Sequence, residues 1–138
     1  FSLLKDADDE EASLVQDLIW RVWFWHRKEE LRDQMGRVQV AMSEEQSWPK
    51  AMKLLDDLIE ADPGWPEAWN RRATLRYLMG RYEESLDDIA ETLAREPRHF
   101  GAISGRGLVL QRLGRHEEAA VSSAKAALVL QGESSEEE

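Results

Sequence analysis

The sequence predicts an all-α chain: three helical hairpins stacked as a solenoid, preceded by one capping helix. Three observations lead there. Residues recur in register every 34 positions. Apolar residues within each period repeat every three or four, the spacing of one helix face. Proline and glycine punctuate those stretches where helices start and stop.

The 34-residue register holds residue by residue. It joins Trp48, Tyr82 and His116; Ala51, Ser85 and Ala119; Leu55, Ile89 and Ser123; and Ile59, Leu93 and Ala127. Pro63 pairs with Pro97 and Gly80 with Gly114, and Gly80-Arg-Tyr-Glu-Glu-Ser returns as Gly114-Arg-His-Glu-Glu-Ala. A period of this length is the mark of a repeat architecture, in which each unit buries its apolar face against the next.

Residues 1–11 read as a flexible acidic segment. Residues 12–27 read as a helix with a wide apolar face: Leu14, Leu18, Val22 and Trp25 in one stripe, Val15, Ile19 and Trp23 beside it. An end repeat lacks a neighbour on one side, so this Trp-rich helix is expected to cap the first hairpin. Trp20, Trp23 and Trp69 read as packing residues. Phe24 and Trp25 point about 100° per residue away from the Trp20 side, leaving an aromatic exposed as a docking candidate together with Trp23. The first hairpin spans 28–63, with helices from Lys28 to Ser43 and Pro49 to Glu60. The second spans 64–97: Pro66 opens a helix carrying Trp69, Ala73 and Tyr77, Gly80 stops it, and a partner runs from about Tyr82 to Arg95 before Pro97. The third spans 98–131, with helices from Phe100 to Leu113 and Glu117 to Leu130. Residues 132–138 read as a disordered acidic tail.

This pattern resembles the tetratricopeptide repeat, W-x2-L-G-x2-Y, then A-x3-F, then P. The middle unit supplies Trp69, Ala73, Ser85, Ile89 and Pro97, and the last Ile103, Gly107, Gly114 and Ala119. The first has Met35, Val38, Gln39 and Met42 in its leading helix and rejoins the pattern at Ala51, Leu55 and Pro63. The resemblance covers about residues 30–130 and implies a right-handed α-α superhelix that binds protein segments in a concave groove. Asp17-Leu-Ile-Trp-Arg-Val-Trp, Trp69-Asn-Arg-Arg-Ala-Thr-Leu and Glu96-Pro-Arg-His-Phe-Gly-Ala are similar to small repeat proteins of alphaproteobacteria. In a eukaryotic member that likeness would point to an organelle, mitochondrion or chloroplast.

Composition narrows the function. The 138 residues carry 18 Lys and Arg against 28 Asp and Glu, a formal charge of −10, which disfavours a nucleic-acid partner held through phosphates. The acids concentrate at the ends. Between residues 12 and 132 there are 19 acids against 17 bases. With no cysteine there are no disulfides, thiolate metal sites or catalytic thiol. The longest apolar stretch, Trp20 to Trp25, is interrupted by Arg21, so a membrane span is not expected. The chain opens on Phe1 and runs into acids, matching neither a signal peptide nor an Arg-rich transit peptide, so a leader is expected to have been removed or the chain trimmed.

No catalytic constellation is present: no Gly-x-Ser-x-Gly, no phosphate-cradling loop after a strand, no paired histidine ligands. Neither metal nor cofactor is expected, and the chain reads as a non-enzyme. Gly101, Gly105 and Gly107 fall inside a helix, where small residues let neighbouring helices approach. Glu83 and Glu84, and Asp87 and Asp88, read as solvent-facing pairs, with no cleft to shift them toward acid–base work.

Arginines mark the main departures from the repeat. Arg72 and Arg76 stand where the pattern has Leu and Tyr, and Arg106 lies one period after Arg72. An arginine at such a site must be paired or face a groove. In one reading Arg72 and Arg106 bond to carboxylates or carbonyls of neighbouring repeats. In the other, Asn70, Arg71, Arg72, Arg76 and Arg106 line a groove selective for an acidic or C-terminal carboxylate ligand. The resemblance argues against the chaperone carboxylate clamp: its Lys and Asn positions hold Gly36 and Val40 in the first unit, Gly101 and Gly105 in the last, and Arg71 alone is polar there. His99, beside Arg98, adds a possible anion contact. On the last helix Ala120, Ala124, Ala127, Leu128 and Leu130 leave apolar surface to cover. The resulting expectation is a protein-binding scaffold. Its alternative is a subunit docked permanently in a large assembly, or self-associating, through Trp23, Phe24, Trp25, Leu128 and Leu130.

Overall fold

The computed structural model describes residues 14, 15, 18 and 29–137, the last six by their backbone alone. Six helices form three antiparallel hairpins: α1 (29–42) with α2 (Trp48–Ala61), α3 (Pro66–Leu78) with α4 (Tyr82–Arg95), and α5 (Phe100–Arg112) with α6 (His116–Glu137). A single 3-10 turn, Glu45–Ser47, leads into α2. The second helices start at Trp48, Tyr82 and His116, the three residues joined by the register.

Local chemistry sets these boundaries. Pro66 takes the first position of α3 and Pro49 lies in the first turn of α2, where a missing amide costs nothing. Gly80 and Gly114 end α3 and α5 with φ of 78° and 77°. At each, the amide three residues past the last helical residue bonds back into the final turn, Arg81 to the Arg76 carbonyl and Arg115 to that of Leu110, both 2.8 Å. Only glycine enters this left-handed conformation without steric cost.

Packing is densest within the α3/α4 and α5/α6 hairpins, and α2 against α3 and α4 against α5 join one hairpin to the next. One core cluster, with Val38, Leu55, Leu58, Ala68 and Leu75 fully buried, links hairpins one and two. A second, with Ala73, Ile89, Ala102 and Val109, links hairpins two and three. Neither cluster is private to one hairpin, which is why the repeat folds as a stack.

One expectation changes. α6 does not stop at Leu130 but continues through the acidic stretch to Glu137. Of the expected capping helix, Leu14, Val15 and Leu18 are helical and exposed. Trp20, Trp23, Phe24 and Trp25 lie outside the described residues. Among the described residues no helix is long and apolar enough to cross a membrane.

Candidate functional site: the face shared by the first helices

Helix geometry decides which side chains of α3 reach this face. Asn70, Thr74, Tyr77 and Leu78 follow one another at steps of four, three and one and turn toward α5. Arg72 and Arg76, also four apart, turn instead toward the second helices.

Between α3 and α5 runs a groove of about 200 Å³. Ala73, Ile89 and Val109 form its floor. Gly101, Gly105 and Leu108 form its α5 wall. Among the described residues no charged one lines it. Leu78 and Leu108 stand at its rim, 46% and 55% exposed. The glycines do different jobs. A Cβ on Gly107 would lie 3.4 Å from Ser123 Oγ and 3.5 Å from the Ala119 carbonyl, so Gly107 does let α5 and α6 approach. A Cβ on Gly101 would lie 3.2 Å from His99. A Cβ on Gly105 would meet nothing within 4 Å. The close-approach expectation therefore fails at Gly105, whose missing side chain is open groove.

On the α1 side of α3 the same face is closed by polar contacts. Arg71 reaches Gln39 Oε1 at 2.7 Å and Glu67 Oε1 at 3.1 Å. Glu67 in turn meets His99 Nε2 at 3.1 Å. His99 Nδ1 accepts from the Ala102 amide at 3.0 Å, capping α5, so the ring proton sits on Nε2 and is donated to Glu67. His99, read as a possible anion contact, is thus a cap that ties α5 to α3.

The arginines form a separate, inward-facing cluster. Asp88 on α4 is 2% exposed, correcting its reading as a solvent-facing acid. Arg72 grips it with two parallel bonds, Nε to Oδ2 at 3.0 Å and Nη2 to Oδ1 at 2.8 Å, and extends Nη1 to Asp56 of α2 at 3.0 Å. Arg76 Nη1 adds a third bond to Asp88, 2.8 Å, and its Nε lies 3.6 Å from Glu84. Burial pulls the Arg72 pKa down, but the bonds and charges of Asp88 and Asp56 outweigh it and leave the value raised. Arg106, one period on, meets Ser122 Oγ at 2.9 Å. Of the five residues expected on a charged groove, only Asn70 lines the groove. Arg71 lies across the neighbouring strip; Arg72 and Arg76 bond to Asp88 of their own hairpin, Arg106 to a hydroxyl of its own, and only the Arg72–Asp56 contact is a bond to a carboxylate of a neighbouring repeat.

Trp69 fixes the joint between hairpins one and two. Its Nε1 donates to the Pro63 carbonyl at 2.9 Å, which also accepts from Arg95 Nε, and the guanidiniums of Arg95 and Arg72 lie 4.4 and 5.1 Å from its ring.

The sequence reading did not single out Thr74, Leu78 or Leu108 for the groove, nor Arg112. The available signal was register: on α3 and α5, residues off the Trp69/Ala73 face and not aligned with Arg72 fall on the shared face. Among the described residues no group of three or more histidine or carboxylate side chains is placed to hold a metal ion.

Hairpins of this length, joined through common cores at a 34-residue period, are those of one repeat class. A repeat protein of Rhizobium etli described as containing tetratricopeptide repeats is 37% identical over 118 residues, 85% of this chain. The chain is a tetratricopeptide repeat protein. It spans 57% of that relative's length. No family model matches it. Among solved structures, MamA (AMB-1) superposes with a TM-score of 0.62 at 26% identity, covering 72% of this chain and 51% of MamA. The second repeat domain of Spaghetti, bound to the HSP90 peptide SRMEEVD, superposes with a TM-score of 0.68 over 75% of this chain and 95% of that domain; at 20% identity it shows the fold alone. A bacterial relative gives no ground for the organellar expectation. Domains of this family generally mediate protein–protein interactions and are typically non-catalytic.

Proposed function

We propose that this chain is a non-enzymatic scaffold that holds a segment of a partner protein in the groove between α3 and α5. The observation that carries the reading is the groove itself: an uncharged channel opened by Gly105 and rimmed by exposed Leu78 and Leu108, on a rigid framework. Exposed apolar side chains flanking a concavity favour a partner's side chains over water. The internal engagement of Arg72, Arg76 and Arg106 shifts recognition away from a strongly cationic groove, and the empty positions at Gly36 and Gly105 count against a chaperone carboxylate clamp.

The test is capture of partners on the immobilised chain against Leu78→Glu plus Leu108→Glu. Partners recovered by the parent and lost by the double variant, with helical content unchanged, support the groove; equal recovery overturns it.

One observation favours a second reading, a subunit docked through its last helix. Leu128 and Leu130 on α6 are 66% and 46% exposed, and Val121 adds to them. Light scattering of the chain and of Leu128→Glu plus Leu130→Glu decides it: a dimer dissolved by the charges supports docking, and an unchanged monomer leaves the groove.

A further inference from the structure

The groove has two chemically different ends. At the amino end of α5 the polar groups are mutually spent, Glu67 on Arg71 and His99. At the carboxyl end, Tyr77 lines the groove and its hydroxyl accepts from Arg112 Nε at 3.2 Å. Arg112 sits one helical turn beyond Leu108, fully exposed, and no carboxylate among the described residues pairs with it. Its contrast with Arg72, Arg76, Arg95 and Arg115, each matched to an acid of this chain, is plain. A guanidinium so placed, held at one nitrogen by a phenol and open at the others, is a receptor for an incoming carboxylate.

We infer that the groove selects an internal protein segment in which an aliphatic or aromatic side chain fills the space left by Gly105 and an Asp or Glu one or two residues away pairs with Arg112. This rests on the groove reading above and adds its specificity. The apolar requirement comes from the uncharged lining, and the size limit from about 200 Å³, room for one large side chain. Gly105 is the specificity-determining position, because any side chain there projects into the space the anchor takes. Charge complementarity commits the neighbour to an acid, since the Tyr77 hydroxyl holds the Arg112 guanidinium at that end of the groove.

The test is a displayed library of random dodecapeptides, held by both ends so that no free carboxyl terminus is presented, panned on the parent chain, Gly105→Leu and Arg112→Glu. Circular dichroism melts check that both variants fold; Gly105→Leu replaces a helix glycine with a strong helix former over open space and is expected to melt no lower than the parent. On the parent, enriched sequences are expected to share a large apolar residue with Asp or Glu within two positions on either side. Gly105→Leu is expected to cut their recovery by roughly tenfold or more. On Arg112→Glu the acid is expected to give way to Lys or Arg beside an unchanged apolar anchor. Sequences lost on Gly105→Leu but lacking the acid, or indifferent to Arg112→Glu, overturn this inference and leave the groove reading standing. Sequences recovered equally by Gly105→Leu, or no enrichment at all, overturn both.

Discussion

Hairpins two and three use one register position in different ways. In hairpin two, Arg72, Arg76 and Asp88 form a buried ionic cluster joining α3 to α4, with Asp56 drawn in from α2. One period later the same places hold Arg106, Leu110 and Ser122: one arginine, a hydroxyl in place of the carboxylate, and a fully buried leucine in place of the second arginine. One period earlier they hold Val38, Met42 and Leu54, all part of the first core or packed on it. The same backbone thus accepts an apolar, a polar and an ionic filling. The difference teaches that the ionic cluster is not what makes the hairpin fold. A buried pair often recovers little more than its own desolvation cost, and its value lies in what happens when one member is missing.

The largest expected effect follows directly. Asp88→Ala removes the shared acceptor on α4 and leaves the largely buried guanidiniums of Arg72 and Arg76, one turn apart on α3, without it. Urea unfolding followed by circular dichroism is expected to show a loss of about 3–5 kcal/mol. Giving hairpin two the residues of hairpin one, Arg72→Val with Arg76→Met and Asp88→Leu, is expected to bring stability back to within about 1 kcal/mol of the parent. A triple variant as unstable as Asp88→Ala would mean that the ionic cluster is a net stabiliser and would break the comparison.

The two arginines one period apart should then separate. Arg72→Leu strips Asp88 of its two-pronged partner while Arg76 remains, an expected loss of about 2 kcal/mol. Arg106→Leu gives up one bond to a neutral hydroxyl, an expected loss of about 1 kcal/mol or less. Equal losses in paired melts would mean that packing of the arginine stems against the helices, and not the charge beneath them, sets the cost at both sites.

How much of this was legible in the sequence follows from the same positions. The hairpins were, because the register repeats at Trp48, Tyr82 and His116 and the stops at Gly80 and Gly114 recur with it. Asp88 was not, because next to Asp87 it reads as one of two surface acids. The missed signal was its place between Ser85 and Thr92, three residues after one and four before the other. Both align with buried repeat positions and both are buried here. The 16-residue step from Arg72 to Asp88, repeated from Arg106 to Ser122, is the second half of that signal. The groove was legible only in part. Asn70 was read onto the shared face, but an absent side chain such as that of Gly105 gives no hint whether it admits a neighbouring helix or leaves a vacancy. Only the relative placement of α3 and α5 decides that.

The smallest expected effect returns to this glycine, where the two hairpins differ once more. Hairpin two carries Arg71 at the position of Gly105, and its side chain spans to Gln39 and closes the strip toward α1. Hairpin three leaves the strip toward α3 open. Gly105 lies mid-helix in α5, where glycine costs about 0.5–1 kcal/mol relative to alanine through its unfolded-state freedom. Gly105→Ala adds one methyl that touches nothing, so it is expected to raise stability by about that amount in thermal melts. A chain that forgoes this gain at a position without a packing constraint keeps the space for something else. If Gly105→Ala instead lowers the melting temperature, the backbone there is strained, and the glycine serves the helix and not the groove.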